Sequence, residues 1–395
     1  MWRVVLTVSV LCWGSEGQIV CRDENGDEVD WYILYKVPNK TNTDLNGLKY
    51  VYINSTTSKW LDLINDREGV LANTLRPLLT HQNHTSDFGF ISYNDQPPNK
   101  TASQDFGHSK GVVMMNKATG VWLLHSTPQF PNNTKQGIFW PTSGTRNAQI
   151  FICVTFNYSQ FNKIGEHLLN IKAFPFDAYI PNNFHKVLQD VANKNKTKQR
   201  VIKPFLAQVL TSLDGQEFIS FAKYSSKSYN VEDLYPLIAK NLNSNLTAQT
   251  WRGNAEDKES DFPEEGTGDC SEGTGNCMEE GRREDSLEEG RGDCSVGTGD
   301  CPDRWRVSTI LEIKMMRNMD QEVSWSSGRD HSKWCVSVDQ NRPWTCIADL
   351  NRAETQHKRP GGALCINMTG LWEKFTGFIK NQTEKKSECE ILSHF

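Results

Sequence analysis

The chain has 395 residues, 37% of them apolar and 23% charged, with 12 Trp and 18 Phe. That is enough apolar and aromatic material for one large double domain or two ordinary ones, and it excludes general disorder. The formal net charge is −5, but one short acidic segment accounts for all of it and more.

In chain order, residues 1–17 read MWRVVLTVSVLCWGSEG: one arginine, an apolar stretch from Val4 to Trp13, then the small residues Ser15 and Gly17. This is the layout of a secretory signal peptide cleaved near Gly17. No later run is apolar for long enough to cross a bilayer, so no membrane span is expected. Ten Asn-x-Ser/Thr sequons agree with the secretory route: Asn39, Asn54, Asn83, Asn99, Asn132, Asn157, Asn195, Asn245, Asn367 and Asn381. Ten of the eleven cysteines lie beyond the leader, which suits an oxidising compartment. The sequence lacks the CxxC pairs with companion histidines that a zinc site needs, and no metal ligands are predicted.

The first chemical signal is GHSKGVVMMN, residues 107–116. Gly107 breaks the chain, and His108 and Lys110 sit two residues apart, so on a strand they share a face. An apolar run, a KATG turn and the returning VWLLHS predict a hairpin with two cationic side chains at its mouth.

Residues 256–300 differ from everything around them. They hold sixteen acids and four bases, a net −12 against −5 for the chain, which leaves the rest at +7. A unit repeats as GTGDCSEGTGNC (266–277) and GRGDCSVGTGDC (290–301), spacing Cys270 from Cys277 and Cys294 from Cys301 alike. With so little apolar area to offset its ordering entropy, the 254–300 segment is predicted to be a disordered acidic insert. The basic remainder suits a polyanionic partner. Arg291-Gly292-Asp293 is an integrin-type tripeptide, more cheaply explained as drift within the repeat.

The second signal, GRDHSKWC (328–335), has the same grammar: His331, Lys333, WCVSV, a DQNRP turn, then WTCIADLN. The two histidines stand 223 positions apart, or 178 without the 45-residue insert, close to half of the mature chain. A duplication follows: two similar lobes, 18–195 and 196–395, each giving one His and one Lys to a shared seam. Phosphodiester cleavage needs a nucleophile, a proton for the leaving oxygen and positive charge on the phosphate. One imidazole can attack phosphorus, the other can protonate the leaving alcohol, and the lysines can supply the charge.

These stretches resemble the two His-x-Lys motifs of the deoxyribonuclease II family. DWYILYKVP (30–38), YNDQPP (93–98), VWLLHSTPQFP (121–131), FAKYSSK (221–227) and PWTCIADLNR (343–352) extend the resemblance over nearly the whole mature chain apart from the insert. It implies an α/β phospholipase D-like fold with mixed sheets, a monomer of two pseudo-symmetric lobes. It also implies metal-independent cleavage of double-stranded DNA at acid pH in lysosomes, with little sequence preference and no cofactor, leaving 3′-phosphate and 5′-hydroxyl ends. His108 and His331 fall on the family's catalytic histidines, with His108 taken as nucleophile and His331 as acid, and Lys110 and Lys333 on its phosphate binders. His125 falls on a third family histidine, either a positioning or a packing residue. Asn116, Asp349 and Asn351 are the nearest matches to the supporting positions, though the phospholipase D pattern is not followed closely there. The implied disulfides are Cys21–Cys153, Cys346–Cys365 and Cys301–Cys389, with the pairing of Cys270, Cys277, Cys294 and Cys335 open. A secreted or toxin nuclease with the same chemistry, and a catalytically inactive nucleic-acid-binding or adhesion protein, are the alternatives.

Overall fold

The computed structural model describes residues 17–40, 45–80, 86–132, 138–194, 203–224, 233–251, 305–318 and 320–383. Leader residues 1–16, the 254–300 insert, Asn83, Asn195, Cys270, Cys277, Cys294, Cys301 and Cys389 lie outside these residues.

A short pair, β1 (Cys21–Arg22) and β2 (Glu28–Val29), leads into β3 (Trp31–Lys36), β4 (Tyr50–Ile53), β5 (Ser58–Leu61) and helix α1 (Val70–Thr80). Then come β6 (Gly89–Asn94), β7 (Lys110–Met115), β8 (Thr119–His125), β9 (Gln149–Asn157), α2 (Phe161–Asn170), β10 (Pro175–Tyr179) and α3 (Lys186–Ala192). The later half holds β11 (Phe205–Thr211), β12 (Glu217–Lys223), α4 (Leu234–Leu242), β13 (Leu246–Gln249), β14 (Val307–Asn318) and β15 (Gln321–Ser326). It closes with β16 (Trp334–Ser337), β17 (Trp344–Ala348), α5 (Glu354–His357), β18 (Gly361–Asn367), α6 (Thr369–Gly377) and β19 (Ile379–Gln382).

Two large sheets result, and both belong to one compact unit. The first, ordered β10-β6-β7-β8-β9-β3-β4-β5, is antiparallel throughout. The second runs β11-β12-β18-β17-β16-β13-β14-β15, with β19 also on β14 and a parallel β13–β14 pair. Both predicted hairpins are present, as β7–β8 and β16–β17.

Strand alternation shows why. On β3, Trp31, Ile33 and Tyr35 enter a core between the sheets, while Tyr32 and Leu34 enter a second core beneath α1. With both faces covered, the strand reads as a near-continuous apolar run. The central core also takes Ile164 and Leu168 of α2, Val187 and Leu188 of α3, and Leu371 and Phe375 of α6. A third core sets Tyr235, Ile238 and Leu242 of α4 against the far face of the second sheet. The layers are therefore helix, sheet, helices, sheet, helix.

The second sheet repeats the first. The series β3, α1, β6, β7, β8, β9, α2 gives the order β6-β7-β8-β9-β3; the series β12, α4, β13, β16, β17, β18, α6 gives β13-β16-β17-β18-β12. The equivalence extends to side chains. Lys36 lies opposite Gln149 and Lys223 opposite Gly361, at matching ends of β3 and β12. Lys36 Nζ donates to the Thr145 carbonyl and Lys223 Nζ to the His357 carbonyl, each acceptor four residues before its partner strand position. The β14–β15 hairpin, between β13 and β16, is an addition to the second half.

Candidate active site

Each histidine segment is docked on the other sheet. The His108 N–H donates to the Pro360 carbonyl just ahead of β18, at 3.0 Å. The His331 N–H donates to the Ala148 carbonyl just ahead of β9, also at 3.0 Å. Pro360 and Ala148 occupy equivalent places in the two halves, so the exchange is reciprocal. Sequence alternation predicted His108 and Lys110 on one strand face. Instead, Lys110 opens β7 and Lys333 immediately precedes β16, while both histidines lie in the crossing segments. Their N–H groups are taken by the opposite sheet rather than by their own ladder. Gly107 permits this close packing: a Cβ there would stand 2.0 Å from the Ile171 carbonyl oxygen of its own half and 3.0 Å from the Pro360 carbonyl oxygen of the other.

His108 is braced by charge. Its Nδ1 is 2.7 Å from Asp95 Oδ2, Lys110 Nζ donates to Asp95 Oδ1, and Arg359 Nη2 reaches Oδ2 at 3.1 Å. Burial alone would raise the Asp95 carboxyl; Lys110, then His108, outweigh it and hold the group well below the usual carboxylate range. An ionised carboxylate only accepts, so the neutral His108 ring carries its hydrogen on Nδ1 and keeps a lone pair on Nε2. Burial and the Lys110 charge lower His108 to about 3, with Asp95 opposing.

His331 has different company. Its Nε2 is 3.1 Å from the Asn147 amide nitrogen, and the Trp251 ring stands 5.0 Å away, centroid to centroid, at 64°. Neighbouring Asp330 faces away: it accepts from Tyr35 Oη at 2.6 Å, Trp325 Nε1 at 2.8 Å and the Ser332 N–H at 2.8 Å. That buried network ties β3 to β15 and the second motif. His331 is lowered to about 3 by burial, then by Lys333, Lys110, Lys36 and Arg146. Lys333 is lowered to about 7 by burial and by Lys110, and its Nζ donates to the His331 carbonyl. Thus Lys110 acts on both the ring and the lysine of the second motif, and Lys333 acts on His108. The two histidines and two lysines share one field.

The supporting residues separate. Asp349 is in the cluster: Oδ2 accepts from the Gly362 N–H at 3.0 Å, and buried Oδ1 has no hydrogen-bond partner among the described residues. Burial pushes its carboxyl up to about 8, against the Gly362 hydrogen bond and Lys110. Asn351 Oδ1 accepts from the Trp251 N–H at 3.1 Å. His125 is buried between Phe130 and Phe151, with Nδ1 accepting from the Thr127 N–H; burial, then Lys110, keep its ring neutral. Asn116 is not brought to the cluster. Its Oδ1 accepts from Ala118 and Thr119 in the β7–β8 turn, at the far end of a six-residue strand roughly 20 Å long.

The family model for Deoxyribonuclease II matches residues 20–268 and 289–385. The chain belongs to the deoxyribonuclease II family. Among its relatives, mouse Deoxyribonuclease-2-beta is 34% identical over 369 residues, covering 91% of this chain and 90% of that protein. Pig Deoxyribonuclease-2-alpha is 30% identical over 388 residues, 95% and 93% of the two chains. Cell-death-related nuclease 7 of Caenorhabditis elegans is 27% identical over 396 residues, 99% and 94%.

Within this deoxyribonuclease II chain, two implied disulfides are present, Cys21–Cys153 and Cys346–Cys365, and buried Cys335 has no disulfide partner among the described residues. The eight sequon asparagines among the described residues are all at least partly exposed. No helix among the described residues is long and apolar enough to cross a membrane. Sequence reading missed Asp95, Asn147, Trp251 and Arg359. Asp95 lies within YNDQPP, a family marker; the others carry no local pattern, Asn147 and Arg359 being recruited across the seam and Trp251 from the end of β13 in the same half as His331.

Proposed function

We propose that the chain is an acid endodeoxyribonuclease that cleaves DNA by a two-histidine, metal-independent mechanism. The observation that carries this reading is the reciprocal pair of backbone hydrogen bonds, His108 to Pro360 and His331 to Ala148. We read the repeated halves as a phospholipase D-like pseudo-dimer with its lobes divided near residue 195.

In this mechanism Lys110 and Lys333 hold the non-bridging oxygens of one phosphate. The His108 Nε2 lone pair attacks phosphorus, and the P–O5′ bond breaks as His331 gives its proton to the leaving 5′ oxygen. Asp95 stabilises the cationic ring of the phosphohistidine. Water, losing a proton to the now neutral His331, then attacks phosphorus; the P–N bond breaks and a 3′-phosphate leaves. The amide of Asn147 can donate to neutral His331 or, turned over, accept from its charged form.

Acid dependence follows from the sign of the shifts. Both rings are lowered, so at neutral pH neither is charged and the leaving oxygen has no proton source. Falling pH, together with the negative charge of bound phosphate, charges His331. Phosphate contacts dominate such a grip, so little base preference and steep salt dependence are expected. A signal-directed route to the lysosome suits this pH profile, and imaging the tagged protein separates that destination from secretion.

The test is plasmid cleavage with EDTA at about pH 5, near the range where histidines charge. Cleavage with 3′-phosphate products is expected. Binding without cleavage, or loss of cleavage on chelation, refutes the reading.

A further inference from the structure

Register places Trp251 at a telling position. Asn94 lies opposite Lys110 across β6–β7, and Asp95 follows, its N–H bonded to the Ser109 carbonyl. Across β13–β16, Gln249 lies opposite Trp334, so the next residues, Thr250 and Trp251, match Asn94 and Asp95. The first half therefore puts a carboxylate beside its histidine where the second puts an indole. Gln249 and Thr250 are buried at 0% and 1% exposure, yet Trp251 is 36% exposed. Among the described residues, the exposed large hydrophobics are Leu63, Ile138, Val209, Trp251, Met316 and Val338, and Trp251 alone is aromatic.

The side chain is fixed at both ends. Its backbone N–H donates to Asn351 Oδ1 and its indole N–H to the Gly328 carbonyl, each at 3.1 Å. With that donor already satisfied, what the ring still offers a ligand is its π face, an apolar area that costs free energy to leave in water. Two anchors on a ring that stays 36% exposed mark a preset platform. A platform beside an imidazole, in a site lined by Lys110 and Lys333, suits a flat apolar group attached to a phosphate.

We propose that Trp251 forms a stacking subsite for the nucleobase on the leaving side of the scissile phosphate. The assignment rests on the deoxyribonuclease reading, and its polarity follows from His331 serving the leaving 5′ oxygen. Stacking is tolerant of base identity because every base has a π face. It requires that base to leave its neighbour, so the subsite favours a locally opened strand over an intact stack.

The test uses a short oligodeoxynucleotide with one natural linkage flanked by methylphosphonates, in versions with a base or an abasic residue on either side of that linkage. W251A is expected to raise KM about tenfold on the intact substrate with little change in kcat, while W251F stays within about threefold of wild type. An abasic residue on the leaving side should raise the wild-type KM to the W251A value, and the mutation should then add nothing. W251L, which keeps apolar volume without a ring, replaces W251A if the alanine variant does not fold. Equal losses for W251A on intact and abasic substrates would reduce Trp251 to a prop for His331 and overturn the proposal. So would sensitivity confined to the opposite, attacked side. Wild-type protein that cleaves neither these substrates nor plasmid DNA would remove the nuclease reading instead.

Discussion

His108 and His331 hold equivalent places in sheets of repeated topology, yet their surroundings have opposite chemistry. His108 rests on Asp95, which is shared with Lys110 and Arg359. His331 meets the neutral amide of Asn147 and the ring of Trp251, and its adjacent carboxylate, Asp330, is spent on Tyr35, Trp325 and Ser332. Even the cross-seam partners correspond: Arg359 precedes Pro360 as Asn147 precedes Ala148. The repeat delivered two like frames, and their contents diverged. A carboxylate-braced ring suits a nucleophile that must carry positive charge through an intermediate. A ring among neutral partners suits a group that changes charge within each turnover.

The largest expected effects test this division directly. His108→Ala and His331→Ala should each lower DNA cleavage by about 10⁴-fold or more while folding and DNA binding survive. A bridging 5′-thiolate leaving group, which needs no proton, should restore the first step, read as a burst of thiol release, to His331→Ala and not to His108→Ala. Rescue of the reverse pattern exchanges the roles; near-wild-type turnover in either variant ends the assignment.

The braces should also differ in weight. Asp95→Asn is expected to reduce kcat by about 10²-fold, and Asn147→Ala by about tenfold. Steady-state kinetics giving equal losses would mean that the carboxylate confers no special role.

Ser126 and Asp349 form another unequal pair. Ser126 Oγ accepts from the Ile150 N–H and Asp349 Oδ2 from the Gly362 N–H, at matching positions in the two halves, both at 3.0 Å. With its carboxyl pushed up to about 8 by burial, Asp349 is neutral in acid and becomes negative as pH rises through that value. Its charge would then oppose phosphate binding beside Lys110 and Lys333. Asp349→Asn should flatten the rise of the Kd for DNA between about pH 7 and 9 by several-fold in a binding titration, and Ser126→Ala should leave that rise in place. A steeper rise in Asp349→Asn would make the carboxylate a counter-ion for Lys333.

The smallest effect concerns the acidic insert. If its −12 charge competes with DNA for the basic body, removing residues 256–300 should lower KM by roughly twofold to threefold at low ionic strength and by nothing measurable in high salt. An unchanged KM at low salt would remove the idea.

How much was legible follows from how far each signal reaches along the chain. Strand–turn–strand grammar is local, so the hairpins at 110–125 and 334–348 were readable. The half-chain spacing of the motifs pointed to a repeat that the strand order displays. Asn116 matches a supporting position only by motif analogy and closes a turn, because Asn oxygens readily accept from the next N–H groups. His125, with its two aromatic neighbours, could not be classified without them.

Residue order alone determined the paired cationic motifs, the segregation of acid into one segment and the alternation that builds two covered sheets. These depend on neighbours within a few positions and on composition. Tertiary structure alone decided which histidine receives a carboxylate and which an indole. Arg359 meets Asp95 across 264 positions and Asn147 meets His331 across 184. Contacts of that span follow from how two sheets exchange hydrogen bonds at their seam, and no local periodicity encodes them.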